Sequence, residues 1–419
     1  MHEAQEVRNP ESFSRRLEEL ARGAGAREDA AGNVLIRKPA ARGREKVRSV
    51  CVHCAAPTAG GPLGPGESAC PATILALLEG RTLEHGPLEV LLTAGGGTRG
   101  GGAAKLDPSL LESRVLIDLG GGGESALCVG CAGWRETAGV WKLEREAPRA
   151  GSVGVELRVG GLRGGDAGCD IDRGRANASK VLVRALLRLQ ELGGRVSAIE
   201  VPGGPHEIPC EARAILAFPR SLPRRAEPAL KKLGEALRAE LGAADPAVAL
   251  RLAPLGEAPR AVFRRHIQKK ILRALAALPS GVVRASPEDP RRVETSANVG
   301  GIATEGEALR VATSQRSLLA SALSDLAESA EGIFLLAGAK VQPGSASPPW
   351  QADLRSAIVR TARAAFEAVA GTPPEEIATH RTLECALIAE RVRGLEVVSL
   401  AGGAERLWAW LVEILRRIG

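Results

Sequence analysis

The amino-acid sequence predicts an α/β protein of two domains, one inserted into the other, and three observations carry that reading. Short apolar runs of strand type alternate with amphipathic helical stretches along most of the chain. Two of those strands run out into glycine: Leu88 to Thr93 leads to Gly95, Gly96 and Gly97, and Arg114 to Leu119 leads to Gly120 through Gly123. Turn-forming residues at Pro148 and Gly151, and again at Pro348-Pro349, mark where the pattern changes. The resulting division is 1–148, 149–348 and 349–419, the last part returning to the first domain and leaving the middle one as an insertion.

In chain order, Asn9 to Gly23 has the proline at the first helical position, the early acids and the closing glycine of a short helix. Asn33 to Lys38 and Val47 to Cys54 follow as strands, the second carrying His53 near its end. Cys70 to Gly80 opens with proline in its first turn and predicts a helix. The stretch HGPLEVLLTAGGGTRGGGAAK, His85 to Lys105, then enters a buried strand from a tight turn, with Leu88, Val90 and Leu92 alternating against Glu89, Leu91 and Thr93. In open α/β sheets the carboxyl ends of strands hold the ligand-binding side chains, and here glycines stand in that place.

Beyond Gly151, a strand and a glycine-rich turn lead into a helix over Ala176 to Leu192. Strands at Val196 to Val201, Cys210 to Phe218 and Val248 to Leu252 alternate with helices at Glu227 to Leu241 and Ser317 to Glu328. A long helix over Ala352 to Ala370, a strand at Leu395 to Leu400 and a helix over Ala404 to Ile418 complete the chain.

Composition limits the function classes. With 419 residues, 44% hydrophobic and 25% charged, the chain has the material for two domains and a sizeable core. No apolar run approaches the ~20 residues of a membrane span, and MHEAQEVRNPESF lacks the basic-then-apolar order of a signal peptide, so the expectation is a cytoplasmic protein without membrane contact. The net charge of +7 comes from scattered arginines without aromatic interleaving, which argues against nucleic acid as a partner. Tyr 0, Met 1, Cys 8 and Gly 50 occur together, as one A-to-G mutational bias would produce. High genomic GC content is the alternative source.

Two patterns that invite chemistry fail on inspection. Gly61 to Ser68 has roughly the glycine spacing of a phosphate loop, but Glu67 stands where lysine should face the phosphates, and a carboxylate there repels them. The pairs Cys51/Cys54 and Cys128/Cys131 have zinc-site spacing. Cys51 and Cys54 lie in a strand, however, where residues three apart point to opposite faces.

Five segments then fall in one order: His85-Gly-Pro-Leu-Glu-Val-Leu-Leu-Thr93; Gly130-Cys-Ala-Gly133; Gly161-Leu-Arg-Gly-Gly165 with Ala176-Asn-Ala-Ser-Lys180; Val293-Glu-Thr-Ser-Ala-Asn-Val-Gly300; and His380-Arg-Thr-Leu-Glu-Cys385. Together they resemble the bacterial aminoacyl-histidine dipeptidases, two-zinc peptidases related to carnosinase and aminoacylase. The resemblance implies a catalytic α/β domain interrupted by a lid and dimerisation domain, with a glutamate activating a zinc-bridging water to cleave dipeptides.

Carried over residue by residue, that resemblance leaves little of the chemistry. His53 matches the first ligand, but the orienting aspartate of the family's His-x-Asp is Ala55. The bridging aspartate falls at Gly66, the general base and adjacent ligand at Gly96 and Gly97, and the next ligand at Gly120. The lid histidine is Asp166, and the final ligand histidine falls in a segment the chain lacks after Ser399. Co-catalytic zinc needs carboxylates to neutralise two dications, so one histidine cannot hold the pair, and no base remains for the water. The positions resembling the substrate-gripping groups persist as Asn298, Arg316, His380 and Glu384. The expectation is therefore a dipeptidase-fold protein that neither binds zinc at the two-metal site nor cuts peptides, and that receives a dipeptide or small carboxylate. An arginine such as Arg316 can hold a carboxylate in a bidentate fork, against the alternative that it is one more surface arginine. The alternatives for the whole chain are a working hydrolase using Asp118, Glu124, Cys54 or Asp166, and a non-catalytic homodimer formed through 149–348.

Overall fold

Leu88–Thr93 shows why the first sheet forms: all six residues are buried, so the strand is covered on both faces and needs no polar side. The alternation expected there is absent because Glu89 is buried too, its carboxylate accepting from the backbone N–H groups of Glu112 and Ser113. The computed structural model describes residues 10–23, 25–57, 68–95, 101–121, 125–220 and 223–418. They fall into two units, Met1–Ala132 with Ser347–Gly419, and Gly133–Ala346. The division lies upstream of the Pro148 to Gly151 turn because the strand Gly133–Lys142 pairs along its whole length with Ala308–Ser317 in the inserted unit.

In the first unit the centre of the sheet is parallel, in the order Leu88–Thr93, Val50–Ala55, Val115–Asp118, Glu396–Ala401. Val34–Lys38 and Ala126–Cys131 flank these strands in antiparallel pairing. One face is covered by the helices Ala69–Glu79, Ala357–Ala370 and Ala404–Arg417, whose Ile74, Phe366 and Trp410 are buried against Val52, Val90 and Ile117. On the other face Cys385 and Leu387 of the helix Glu384–Arg391 pack with Cys51, Leu91 and Leu116. Cys51 and Cys54 thus enter different cores, and Cys54 is joined to Cys70. The long helix starts at Ala357 rather than Ala352 because Ser356 caps it, its Oγ accepting from the Val359 N–H.

The second unit is built on an antiparallel sheet whose central strands are Val293–Glu305, Ala308–Ser317 and Gly133–Lys142. Residues at odd positions, such as Val299, Leu309, Val311 and Trp141, join a core with the helices Ala178–Glu191, Arg265–Ala277 and Ala320–Leu336. Ser317 ends a strand instead of starting a helix, its Oγ accepting from the Leu319 N–H. Glu136, Ser296, Asn298, Ser314 and Arg316 occupy even positions, opposite one another in register and pointing to the other face. A short ribbon, Gly165–Asp166 paired with Glu207–Ile208, accompanies that polar face.

Candidate functional site

In the first unit the strand register itself assembles a polar cluster. His53 pairs with Asp118 across two parallel strands, and Asp118 pairs with Ser399 on the next, so three polar side chains share one face near the carboxyl ends. His53 Nδ1 lies 2.7 Å from Asp118 Oδ1, and Ser399 Oγ donates to Asp118 Oδ2 at 2.6 Å. On the other side His53 Nε2 is 3.0 Å from Thr93 Oγ1 and 3.6 Å from Glu384 Oε2. Thr93 Oγ1 in turn donates to Glu384 Oε2. Glu384 opens its helix, where a carboxylate suits the positive end of the helix dipole.

His53, Asp118 and Ser399 are each at most 1% exposed, so their charges interact in a medium far less polar than water. Burial pulls the His53 imidazole down, but hydrogen bonds and charge from Asp118 and Glu384 outweigh it and raise it to about 9. The ring is therefore an imidazolium at neutral pH, held between two carboxylates. Glu384 Oε1 is buried without a hydrogen-bond partner among the described residues. His380 lies half-buried just past the strand Glu376–Thr379.

Ala55 follows on the His53 strand, and Gly120 sits two residues beyond Asp118, where a Cβ would approach Asp118 Oδ1 to 3.1 Å. A side chain at 120 would therefore enter the cluster, and Asp118 occupies that space from the preceding same-face position. Gly66, Gly96, Gly97, Glu124 and all of Gly61 to Ser68 except its last residue lie outside the described residues. Asp118 and Thr93 as partners of His53, and Ser399 as the partner of Asp118, were not found by sequence reasoning, since only the strand register brings them together.

In the second unit Asn298 and Arg316 belong to one buried polar layer. Arg316 is 2% exposed and so is no surface arginine. Its Nη2 lies 3.2 Å from His206 Nδ1, and His206 Nε2 lies 3.0 Å from Glu136 Oε1. The Asn298 amide is fully used: Nδ2 donates to the Pro205 and Glu207 carbonyls at 2.9 and 2.7 Å, and Oδ1 accepts from Asn177 Nδ2. Asp166 Oδ1 accepts from the backbone N–H groups of Gly168 and Cys169, at 2.7 and 2.9 Å. The Trp134 ring meets the His206 ring edge-on, with centroids 4.7 Å apart. The four carried-over substrate positions thus form two pairs, Glu384 and His380 in one unit and Asn298 and Arg316 in the other.

Across its length the chain is 30% identical to the cytosol non-specific dipeptidase of Escherichia coli K12, over 403 residues that cover 89% of this chain and 82% of the relative. The chain belongs to the aminoacyl-histidine dipeptidase family. No model of a protein family matches it. Among solved structures, an aminoacylhistidine dipeptidase from Vibrio alginolyticus superposes with a TM-score of 0.77 at 28% identity, covering 99% of this chain and 92% of that one. A tripeptidase from Staphylococcus aureus shares the fold alone, with a TM-score of 0.54 at 11% identity and 99% and 96% coverage. The α/β architecture expected from sequence is that of this family.

Family membership implies a metal, and the residues present do not fit a two-metal centre. Among the described residues no group of three or more His, Cys, Asp and Glu side chains is placed to hold a metal ion. A histidine ligand offers metal a lone pair from a free ring nitrogen, whereas both His53 nitrogens are engaged within the protein, Nδ1 with Asp118 and Nε2 with Thr93. Cys54 is joined to Cys70, and Asp118 is taken by His53 and Ser399.

Proposed function

We propose that this chain is a dipeptidase-family protein in which the hydrolytic metal centre has been replaced by hydrogen bonds within the protein, and that it binds dipeptides or small carboxylates without cutting them. The observation that carries this reading is the buried His53, clamped by Asp118 on one nitrogen and facing Thr93 and Glu384 on the other. Glycines at the general-base position Gly96 and the ligand positions Gly66, Gly97 and Gly120 support it from the sequence side. The test is metal analysis of purified protein together with hydrolysis of Xaa-His dipeptides. No stoichiometric zinc and no turnover are expected, since a site without its carboxylate ligands cannot hold two dications. Two equivalents of zinc, with hydrolysis abolished by His53→Ala, would overturn the reading.

Binding is assigned to the second unit, with Arg316 as the cation for a carboxylate. Arg316 pairs in register with Trp134, whose indole N–H is buried and has no hydrogen-bond partner among the described residues. A buried orphan donor beside a guanidinium is what an incoming carboxylate satisfies. The ligand must displace part of the cover, since Gly168 sits so close that a Cβ there would lie 2.9 Å from Arg316 Nη1. That cost and the glycine-rich surroundings put the expected dissociation constant at roughly millimolar. Calorimetry with an Xaa-His dipeptide on the wild type and on Arg316→Ala tests it; equal binding by both, or none by either, removes the case.

The competing reading is an active dipeptidase with ligands off the family positions, favoured by the 30% identity to an enzyme. It would need Asp118, Cys54, Asp166 or Glu124 at the metal, and the same zinc measurement decides it. Two further parts of the proposal concern setting and partners. Among the described residues no helix is long and apolar enough to cross a membrane, and the Escherichia coli relative is called a cytosol enzyme, which supports a cytoplasmic location. The strand Ala249–Pro254 ends the order of the second unit's sheet, and such an edge supports self-association through 149–348. Light scattering on the eluting protein should then give twice the chain mass, and a monomer at micromolar concentration refutes the dimer.

A further inference from the structure

The geometry points to His206 as a positioning residue that holds the Arg316 guanidinium for a ligand carboxylate, with Glu136 fixing the tautomer that makes this work. The inference rests on the carboxylate-binding reading of Arg316 and names the residues that enforce it.

Hydrogen-bond chemistry sets the direction of the chain. A guanidinium only donates, so the Arg316 Nη2 contact at 3.2 Å requires a lone pair on His206 Nδ1. The ring proton must then sit on Nε2, where it donates to Glu136 Oε1 at 3.0 Å. Glu136 is itself fixed, because its other oxygen accepts from the backbone N–H of Ser345 at 3.2 Å and from its hydroxyl at 2.9 Å. The relay therefore runs from Arg316 to a neutral His206 to an anchored carboxylate, and it fails if either ring nitrogen changes role.

The backbone of His206 is pinned on every side. The Pro205 carbonyl accepts from Asn298 Nδ2 and Ser314 Oγ, the Glu207 carbonyl accepts from Asn298 Nδ2, and the His206 carbonyl accepts from the Ala167 N–H. Asn298, Ser314 and Arg316 lie on the same sheet face, so the strands that present the cation also fasten the loop that steers it. Asn298 thus acts through His206 and not by touching a ligand. Such layered support is how a site keeps a charged group in one orientation.

The charged groups facing the ring are Glu136 on the strand Gly133–Lys142, Arg316 on Ala308–Ser317 and Asp166 on the short ribbon. Burial and then Arg316 lower the basicity of His206, against Glu136 and Asp166, so the ring is neutral at pH 7. When acid protonates Nδ1, the acceptor for Arg316 disappears. A merely electrostatic role predicts the opposite effect on an anion, because an added positive charge would tighten binding. The sign of the pH effect therefore separates the two.

The experiment is calorimetric titration with glycyl-leucine, whose own groups do not titrate between about pH 5 and pH 7.5. Wild type, Arg316→Ala, His206→Ala and His206→Gln are compared, with circular dichroism to confirm folding. Wild-type affinity should fall about tenfold on acidification through the His206 titration, the order expected for losing one hydrogen bond to a charged group. His206→Gln should bind like wild type near neutrality and show no such pH dependence, since its amide oxygen accepts and its amide nitrogen donates without titrating. His206→Ala should bind weakly throughout. Wild-type affinity that is flat with pH or tightens in acid overturns the inference, whatever the variants do. Loss of binding in Arg316→Ala with unchanged binding in His206→Ala overturns the positioning role alone. No wild-type binding, or equal binding by Arg316→Ala, sinks the carboxylate reading and the inference with it.

Discussion

Replacing Asp118 by Asn tests whether His53 is a stabilising imidazolium in its own right. The substitution keeps the shape and one acceptor oxygen but removes the charge 2.7 Å from His53 Nδ1. Raised from 6.5 to about 9, the folded-state histidine contributes about 3 kcal/mol at about 1.4 kcal/mol per pH unit. Because the folded pKa is the higher one, that stability is fully present below about pH 6.5 and is lost as pH rises through about 9. Asp118 supplies more of the effect than Glu384, so Asp118→Asn should cost about 2 kcal/mol near pH 6. The gap should close towards pH 10. The assay is urea unfolding, after dialysis against a chelator, with wild type and variant compared at each pH. Other titrations then cancel, including that of Lys180, which burial lowers to about 8. A gap that stays constant with pH, or a variant as stable as wild type at pH 6, would refute the imidazolium argument.

Three other perturbations probe the fold and the second unit. Trp134→Phe removes the orphan indole N–H while keeping an aromatic ring against His206, and should weaken dipeptide binding by about fivefold in calorimetry, with unfolding midpoints unchanged. Lys180→Met should cost roughly 1–2 kcal/mol in urea unfolding, since Lys180 Nζ donates to the Leu275, Ala276 and Leu278 carbonyls at the end of the helix Arg265–Ala277. Gly139→Val should lower stability by about 2 kcal/mol or abolish soluble expression, because even a Cβ at 139 would come within 2.2 Å of the Phe334 ring. Wild-type stability of the last variant would show that the helix Ala320–Leu336 does not press on that strand.

The elements that sequence reading placed well are those whose pattern is local. Leu88–Thr93 begins and ends where its apolar run does, and the helices Ala178–Glu191 and Ala404–Arg417 follow their apolar stripes. The helix Arg265–Ala277 is not evident from the sequence reading despite a clear amphipathic face; the strand Val293–Glu305 shows only as the motif Val293 to Gly300, and Ala308–Ser317 only as the single residue Arg316. Those strands mix buried Ser, Thr, Asn, Gln and Arg with apolar residues, so nothing in their composition marks them as interior. Their polar face is explained by what covers it, and the covering loop at 203–208 lies far away in sequence.

The same limit explains what the family resemblance could deliver. It placed His53 and glycines at the liganding positions, which is the sequence side of the proposal that the metal centre is lost. It could not say what holds His53 instead, because Asp118, Thr93, Glu384 and Ser399 come from four separate segments and meet only through strand register and the start of one helix. A buried histidine stripped of metal has two physical outcomes: to lose its proton and stay neutral, or to recruit counter-charges and keep it. Here two carboxylates lie within reach of its two nitrogens, which selects the second. On the proposed reading, a cluster tied together in this way would stabilise the sheet, so a loss of metal chemistry would not cost the fold. That is why the zinc measurement and the Asp118→Asn pH series belong together: one asks whether the metal centre is gone, the other whether the residues left behind have taken on a structural role.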